Sequence, residues 1–198
     1  MMLLLFAALG IIAGLVSGGS LRGFGRYTLS GVLLPVVAYL LKAGAARLLV
    51  PQTGAVLVCL VQYSLLFVFL LCNHRRPVWP LFAFAGTLMN FFVIVLNGGC
   101  MPVSASLLGG ASERLSQLAQ GRIYAYCLAD ASTRLPFLGD VIRLGAPGMP
   151  LGYASIGDVV LCLGVGILFW QMMRAGKWQA SSGTKPQNKP ENTFKIRS

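Results

Sequence analysis

Three aspartates carry the chemical interest of this chain. Asp130, Asp140 and Asp158 are three of only five acidic residues in 198, and four of those five fall between Glu113 and Asp158. Two carboxylates that share a proton can activate water for peptide hydrolysis, one as base and one as acid. Asp140 and Asp158 are the candidate catalytic pair of such a reaction, with Arg134 to orient them. The same residues can also form an ion-pair and capping network. Asp130 and Arg134 are four apart and would be neighbours on a helical turn, and Arg143 follows Asp140 by three. That structural role is the reading adopted. A third reading takes Lys42 and Asp158 as polar groups along the path of a small permease, since polar groups inside a bundle mark a path. Candidate binding residues are Asp130, Arg134, Arg143, Lys42 and Asn97.

Other chemistries find no residues. The single histidine, His74, stands in a basic segment, and no group of cysteines has zinc-ligand spacing. No metal site, phosphate loop or dinucleotide fingerprint is expected, and no cofactor. Cys59, Cys72 and Cys162 lie in apolar runs or at their ends and read as small apolar fillers. Cys100 and Cys127 fall together on the side expected to be oxidising, so they are either a disulfide or two buried thiols.

The elements that must position these residues are apolar. Hydrophobic residues make up 56% of the chain and charged residues 11%, with a mean hydropathy of +0.74, where a soluble domain would be about a quarter charged. Runs near 20 residues, long enough to cross roughly 30 Å of hydrocarbon, recur. The expected fold class is all-α: an integral membrane bundle of about five transmembrane helices with an extracytoplasmic cap loop. The membrane domain covers residues 1–175, with spans at about 2–18, 27–50, 54–72, 79–97 and 156–173. In the first, Gly10, Gly14 and Gly18 recur every fourth residue and form a bare stripe for close helix packing. This argues for a retained helix rather than a cleaved signal peptide.

Charge sets the orientation. Arg22, Arg26, Arg75 and Arg76 fall in the first and third connections, and Arg174, Lys177, Lys185, Lys189, Lys195 and Arg197 follow the last span. With five spans these segments share one side, which the positive-inside rule makes the cytoplasm. The N-terminus is then outside and the C-terminus inside, with Trp79 and Trp170 at span ends as interface anchors. The net charge of +11 is read as attraction to anionic lipids at the cytoplasmic face, not as nucleic-acid binding. Residues 176–198 are polar and basic and are expected to be a disordered cytoplasmic tail.

The connection at 98–155 therefore faces outward as the cap. Ser104 to Gln120 holds Leu107, Leu108, Leu115 and Leu118 near helical spacing, which predicts an amphipathic helix. Ser106 or Ser112 could cap it and Gly121 could end it. Ile123 to Leu128 is a short β-prone or buried apolar run, and Gly145-Ala-Pro-Gly-Met-Pro150 makes turns.

Two resemblances follow from motifs here. Asn97-Gly-Gly-Cys-Met-Pro-Val103, Thr133-Arg-Leu-Pro-Phe-Leu-Gly-Asp140 and Ser155-Ile-Gly-Asp158, in that order, resemble an uncharacterised bacterial membrane-protein family, domain of unknown function 5317. The resemblance implies a bacterial source, hence the plasma membrane, and a multi-span fold, and no activity. Locally, Leu138-Gly-Asp140-Val-Ile and Ser155-Ile-Gly-Asp158 resemble the two aspartate segments of lipoprotein signal peptidases, and Arg134 loosely matches an arginine upstream of theirs. Those enzymes have Asn-x-Ala before the second aspartate where this chain has Ser-Ile-Gly, a Gly-Asn pair that this chain lacks, and one span fewer. This resemblance implies a dyad of Asp140 and Asp158 at the outer face.

Overall fold

The computed structural model describes residues 1–48, 52–108, 112–146 and 149–181. The chain runs α1 (Met2–Val16), a 3-10 turn (Leu21–Arg26), α2 (Leu33–Arg47), α3 (Gln52–Cys72), α4 (Trp79–Leu96), β1 (Met101–Val103), a second 3-10 turn (Ala105–Leu108), α5 (Ser112–Ala119), β2 (Tyr126–Leu128), a third 3-10 turn (Pro136–Leu138), β3 (Asp140–Ala146), β4 (Met149–Ser155) and α6 (Ile156–Ser181).

Three segments, Gly54–Cys72, Trp79–Leu96 and Ile156–Ala175, are long and apolar enough to cross a membrane. The other two expected spans are shorter. α1 has 15 residues, about 22 Å at 1.5 Å per residue. α2 also has 15 and carries Lys42 and Arg47. It begins at Leu33, not near Tyr27, because the residues before it are taken by tertiary contacts. Arg76 donates to the carbonyl and hydroxyl of Thr28 at 2.6 and 2.9 Å, Ser30 is gripped by Asn73, and Gly31 turns the chain at φ +71°. α6 runs on through residues 176–181, where the sequence reading starts the tail. The expected disorder of the remaining tail lies outside the described residues.

The all-α expectation is corrected by a four-stranded sheet in the order β2-β1-β3-β4. β1 is parallel to β2 and β3, and β3 and β4 form an antiparallel hairpin. β1 and β2 are three residues each, too short for alternation to show in sequence. The expected turn at Gly145–Pro150 falls at the hairpin end, where Gly145 pairs with Pro150 and Ala146 with Met149. α4 leads into β1 through Gly98 and Gly99, both at positive φ. A Cβ on Gly99 would strike the backbone of Ala55 and Val56 in α3. β4 passes into α6 with no intervening residue, so the sheet is fastened to the ends of two helices.

α6 lies between α1 and α4, and glycine permits both approaches. On one side Gly10 meets the Gly166 carbonyl and Gly14 the Met173 side chain; on the other Gly86 meets Gly157 and Leu161, and Gly164 meets Ala83. Removing side chains lets backbones pack closely, the usual device between membrane helices. Gly18, the third member of the stripe, instead ends α1 at φ +75°. Its N–H bonds Leu15 O and that of Gly19 bonds Gly14 O, a Schellman closure. Many large apolar side chains on α1, α2 and α3 point outward, Leu4 at 72% and Leu33 at 75% exposure among them, as suits helices packed against lipid.

Two asparagines latch loops to helix ends in the same way. Asn73 accepts from Ser30 N and donates to Ser30 O and to Phe69 O four residues back. Asn97 accepts from Arg134 N and donates to Arg134 O and to Val93 O four residues back. Each side-chain amide mimics a peptide and satisfies backbone groups that a helix end leaves open.

Candidate functional site

Asp158, half-buried in the first turn of α6, closes a polar triad with the buried Ser155 and Asn90. Its Oδ2 accepts from Ser155 N at 3.1 Å, while Ser155 Oγ accepts from Asp158 N at 2.9 Å. This is a reciprocal capping box, with aspartate in the place more often held by glutamate. The other carboxylate oxygen accepts from Asn90 Nδ2 at 2.7 Å, and Ser155 Oγ donates to Asn90 Oδ1 at 2.8 Å. Ser155 is fully buried and Asn90 nearly so. Each group in the triad has a partner, so a carboxylate beside a span is satisfied without a cation. The residue missed by sequence reading is Asn90. Its signal was an asparagine in the middle of an apolar helix, facing the same side as Gly86.

Asp140 begins β3 where three strands meet. Its backbone pairs with Val103 and with Ser155, and its carbonyl accepts from Ser104 N. Gly139 before it lies against Pro102 O, where a Cβ would not fit. The side chain is buried, 4% exposed, and forms a wall of a cavity of about 240 Å³ with Val103, Leu118, Ile123, Tyr126 and Tyr153. Burial pushes its pKa from 3.8 to about 7; the negative charge of Asp158 adds to the rise and Lys42 opposes it. Among the described residues no hydrogen bond reaches this carboxyl. The sheet thus sets two acids side by side in unlike states, one bonded on both oxygens and one desolvated.

The remaining candidates are dispersed. Asp130 is exposed and accepts from Ser132 N, Ser132 Oγ and Thr133 Oγ1, bonds that lower its pKa. No helical turn forms here, so Arg134 does not pair with it. Arg134 and Arg143 have exposed side chains. The expected ion-pair network is absent among the described residues, because neutral amides and hydroxyls take the place of the arginines. Lys42 lies over the Tyr126 ring at 5.8 Å. It borders a void of about 10 Å³ with Cys59, Gln62, Tyr63 and Tyr124, room for about one water and not for a solute. Tyr124 Oη has no partner there among the described residues. Asn97 acts as a latch between α4 and the Arg134 peptide.

Cys100 and Cys127 are joined in a disulfide, with Cα atoms 5.7 Å apart. Cys100 immediately precedes β1 and Cys127 is the middle residue of β2, opposite Pro102, with Met101 opposite Tyr126. Cys59 and Cys162 are buried free thiols and Cys72 is exposed. Among the described residues no group of three His, Cys, Asp or Glu could hold a metal ion.

A sequence profile for DUF5317, a family of unknown function, matches residues 25–170. The chain belongs to this family. The match takes in α2 to most of α6, and so the whole sheet, the Asn90–Ser155–Asp158 triad and Asp140. No curated protein and no solved structure matches the chain.

Proposed function

We propose that this family member is an accessory component of a bacterial plasma membrane, with a polar outer cap that binds rather than reacts. In this reading α1 and α2 complete a five-span bundle with the N-terminus outside and the cap over residues 98–155 outside as well. The disulfide suits an oxidising compartment, and the arginines at the opposite end of the helices suit a cytoplasmic face.

The observation that carries the reading is the state of Asp158. A water held between two catalytic carboxylates needs both to face it. Asp158 spends one oxygen on its own helix cap and the other on Asn90, which makes it a fastening between α4, β4 and α6. Asp140, at the cavity wall, remains as a hydrogen-bond donor when neutral and as an anion when ionised, suited to a small polar or cationic partner of the cap.

Replacing Asp140 and Asp158 separately by Asn in the producing cell tests this. The expected result is unchanged processing of lipoproteins and membrane peptides in both, with thermal stability lowered for Asp158→Asn. Loss of a processing step in Asp140→Asn, with the protein folded and in the membrane, would establish the hydrolase instead.

A further inference from the structure

At the end of the bundle away from the sheet, three guanidinium groups gather round a cavity that the cap reading does not use. The cavity, about 290 Å³, is bordered by Arg26, Arg76 and Arg174, with Tyr27, Val78 and Trp170 among its walls. Among the described residues no lining residue is acidic. Asp158 lies 16 residues earlier on α6, about 24 Å away along the helix.

The arginines are arranged, not scattered. Arg76 is fixed by its bonds to Thr28 and stacks on Tyr27 at 4.9 Å. Arg174 stacks on Trp170 at 4.9 Å, and its Nε is buried with no hydrogen-bond partner among the described residues. Tyr27 is held in turn, accepting from Trp79 Nε1 and donating to Gln171, whose amide donates to Pro77 O. A stacked guanidinium keeps its edge donors free, and that edge matches the oxygens of a phosphate. The unpartnered buried Nε is the group such an anion would satisfy.

The level of the cavity selects the kind of phosphate. Trp170 to Ala175 is the last part of the α6 segment able to cross a membrane, and Pro77 and Val78 immediately precede that of α4. Hydrocarbon gives way to headgroups at this depth. We propose that Arg26, Arg76 and Arg174 form a specific site for the phosphate of an anionic phospholipid headgroup, with its acyl chains lying along the apolar helices. Basic pockets between helix ends on the cytoplasmic side hold lipid phosphates by this means.

The test uses the full chain in detergent, with phosphatidylglycerol, phosphatidylcholine and inorganic phosphate as probes, and bound lipid counted by native mass spectrometry. Phosphatidylglycerol should bind at least about tenfold more tightly than phosphatidylcholine. Replacing Arg26 and Arg174 together by Gln should weaken it roughly 30-fold, from the two lost charge contacts. Arg26→Gln alone, at an exposed position with no side-chain hydrogen bond among the described residues, should weaken it severalfold with an unchanged melting temperature. Arg22→Gln, in the same 3-10 turn but outside the cavity, should leave binding unchanged. Equal binding of the two lipids, or an equal loss in Arg22→Gln, would show general surface attraction and overturn the site. Inorganic phosphate binding as tightly as phosphatidylglycerol would overturn the lipid as its source.

Discussion

Asp140→Asn is the most informative single change. A carboxyl with a pKa of 3.8 when unfolded and about 7 when folded favours its protonated form in the fold. The preference amounts to about 4 kcal/mol, at 1.36 kcal/mol for each tenfold change in the equilibrium, and that is an upper figure because a buried ion draws in water and relaxes its surroundings. The sign follows from linkage. The proton's contribution is complete below pH 3.8 and is lost as pH climbs through about 7. The groups that face Asp140 are Asp158, which raises its pKa, and Lys42, which lowers it. Asparagine keeps the neutral shape and removes the ionisation. The variant should therefore melt close to the wild type at pH 4 and above it at pH 8, with a flatter profile between. Thermal unfolding of the detergent-solubilised protein, followed by circular dichroism from pH 4 to 8.5, measures this. A variant that melts below the wild type at pH 8, or one whose profile keeps the wild-type slope, would refute the burial argument.

Other changes probe the fastenings. Asn90→Ala should destabilise by roughly 2–4 kcal/mol, because it removes the bonds to the half-buried Asp158 and the buried Ser155; denaturant titration reads the loss, and a change under 0.5 kcal/mol would deny the triad its role. Gly157→Val should lower the melting temperature, since its Cβ would meet Asn90 and the Gly86 carbonyl, an overpacking worth about 1–3 kcal/mol. Cys100→Ser opens a loop with a sequence separation of 27 and should cost ~3.5 kcal/mol on loop entropy; a reducing agent should then shift the wild type's melting point and not the variant's.

Part of the site could be read in advance. Ser155-Ile-Gly-Asp158 has the spacing of a capping box, and an apolar run follows it. An acid beside a span needs a partner, and Arg134, Arg143 and Lys42 are the cations that the sequence offers. The structure supplies Asn90, 68 residues away, and chain pattern gives no means of choosing that residue over another polar one. Asn97 was singled out for its motif, and its amide turns out to hold the Arg134 peptide, not a ligand. The stripe at Gly10 and Gly14 showed that some helix would pack there. That it is α6, meeting Gly166, depended on the other glycines that α6 brings.

The one-dimensional record was sufficient for the apolar character of the helices and the grouping of the acids. Long apolar runs can be accommodated only in lipid or a large core, and Gly54–Cys72, Trp79–Leu96 and Ile156–Ala175 are such runs. Hydropathy and charge are local properties, so the order of residues alone determines them. The sheet, the state of Asp140 and the company of Asp158 were decided by the tertiary structure. β1 finds its partners in β2 and β3, strands distant in sequence, Asp140 is buried because three strands converge on it, and Asp158 gains its second partner because α4 crosses α6 closely enough, over glycine, for Asn90 to reach it.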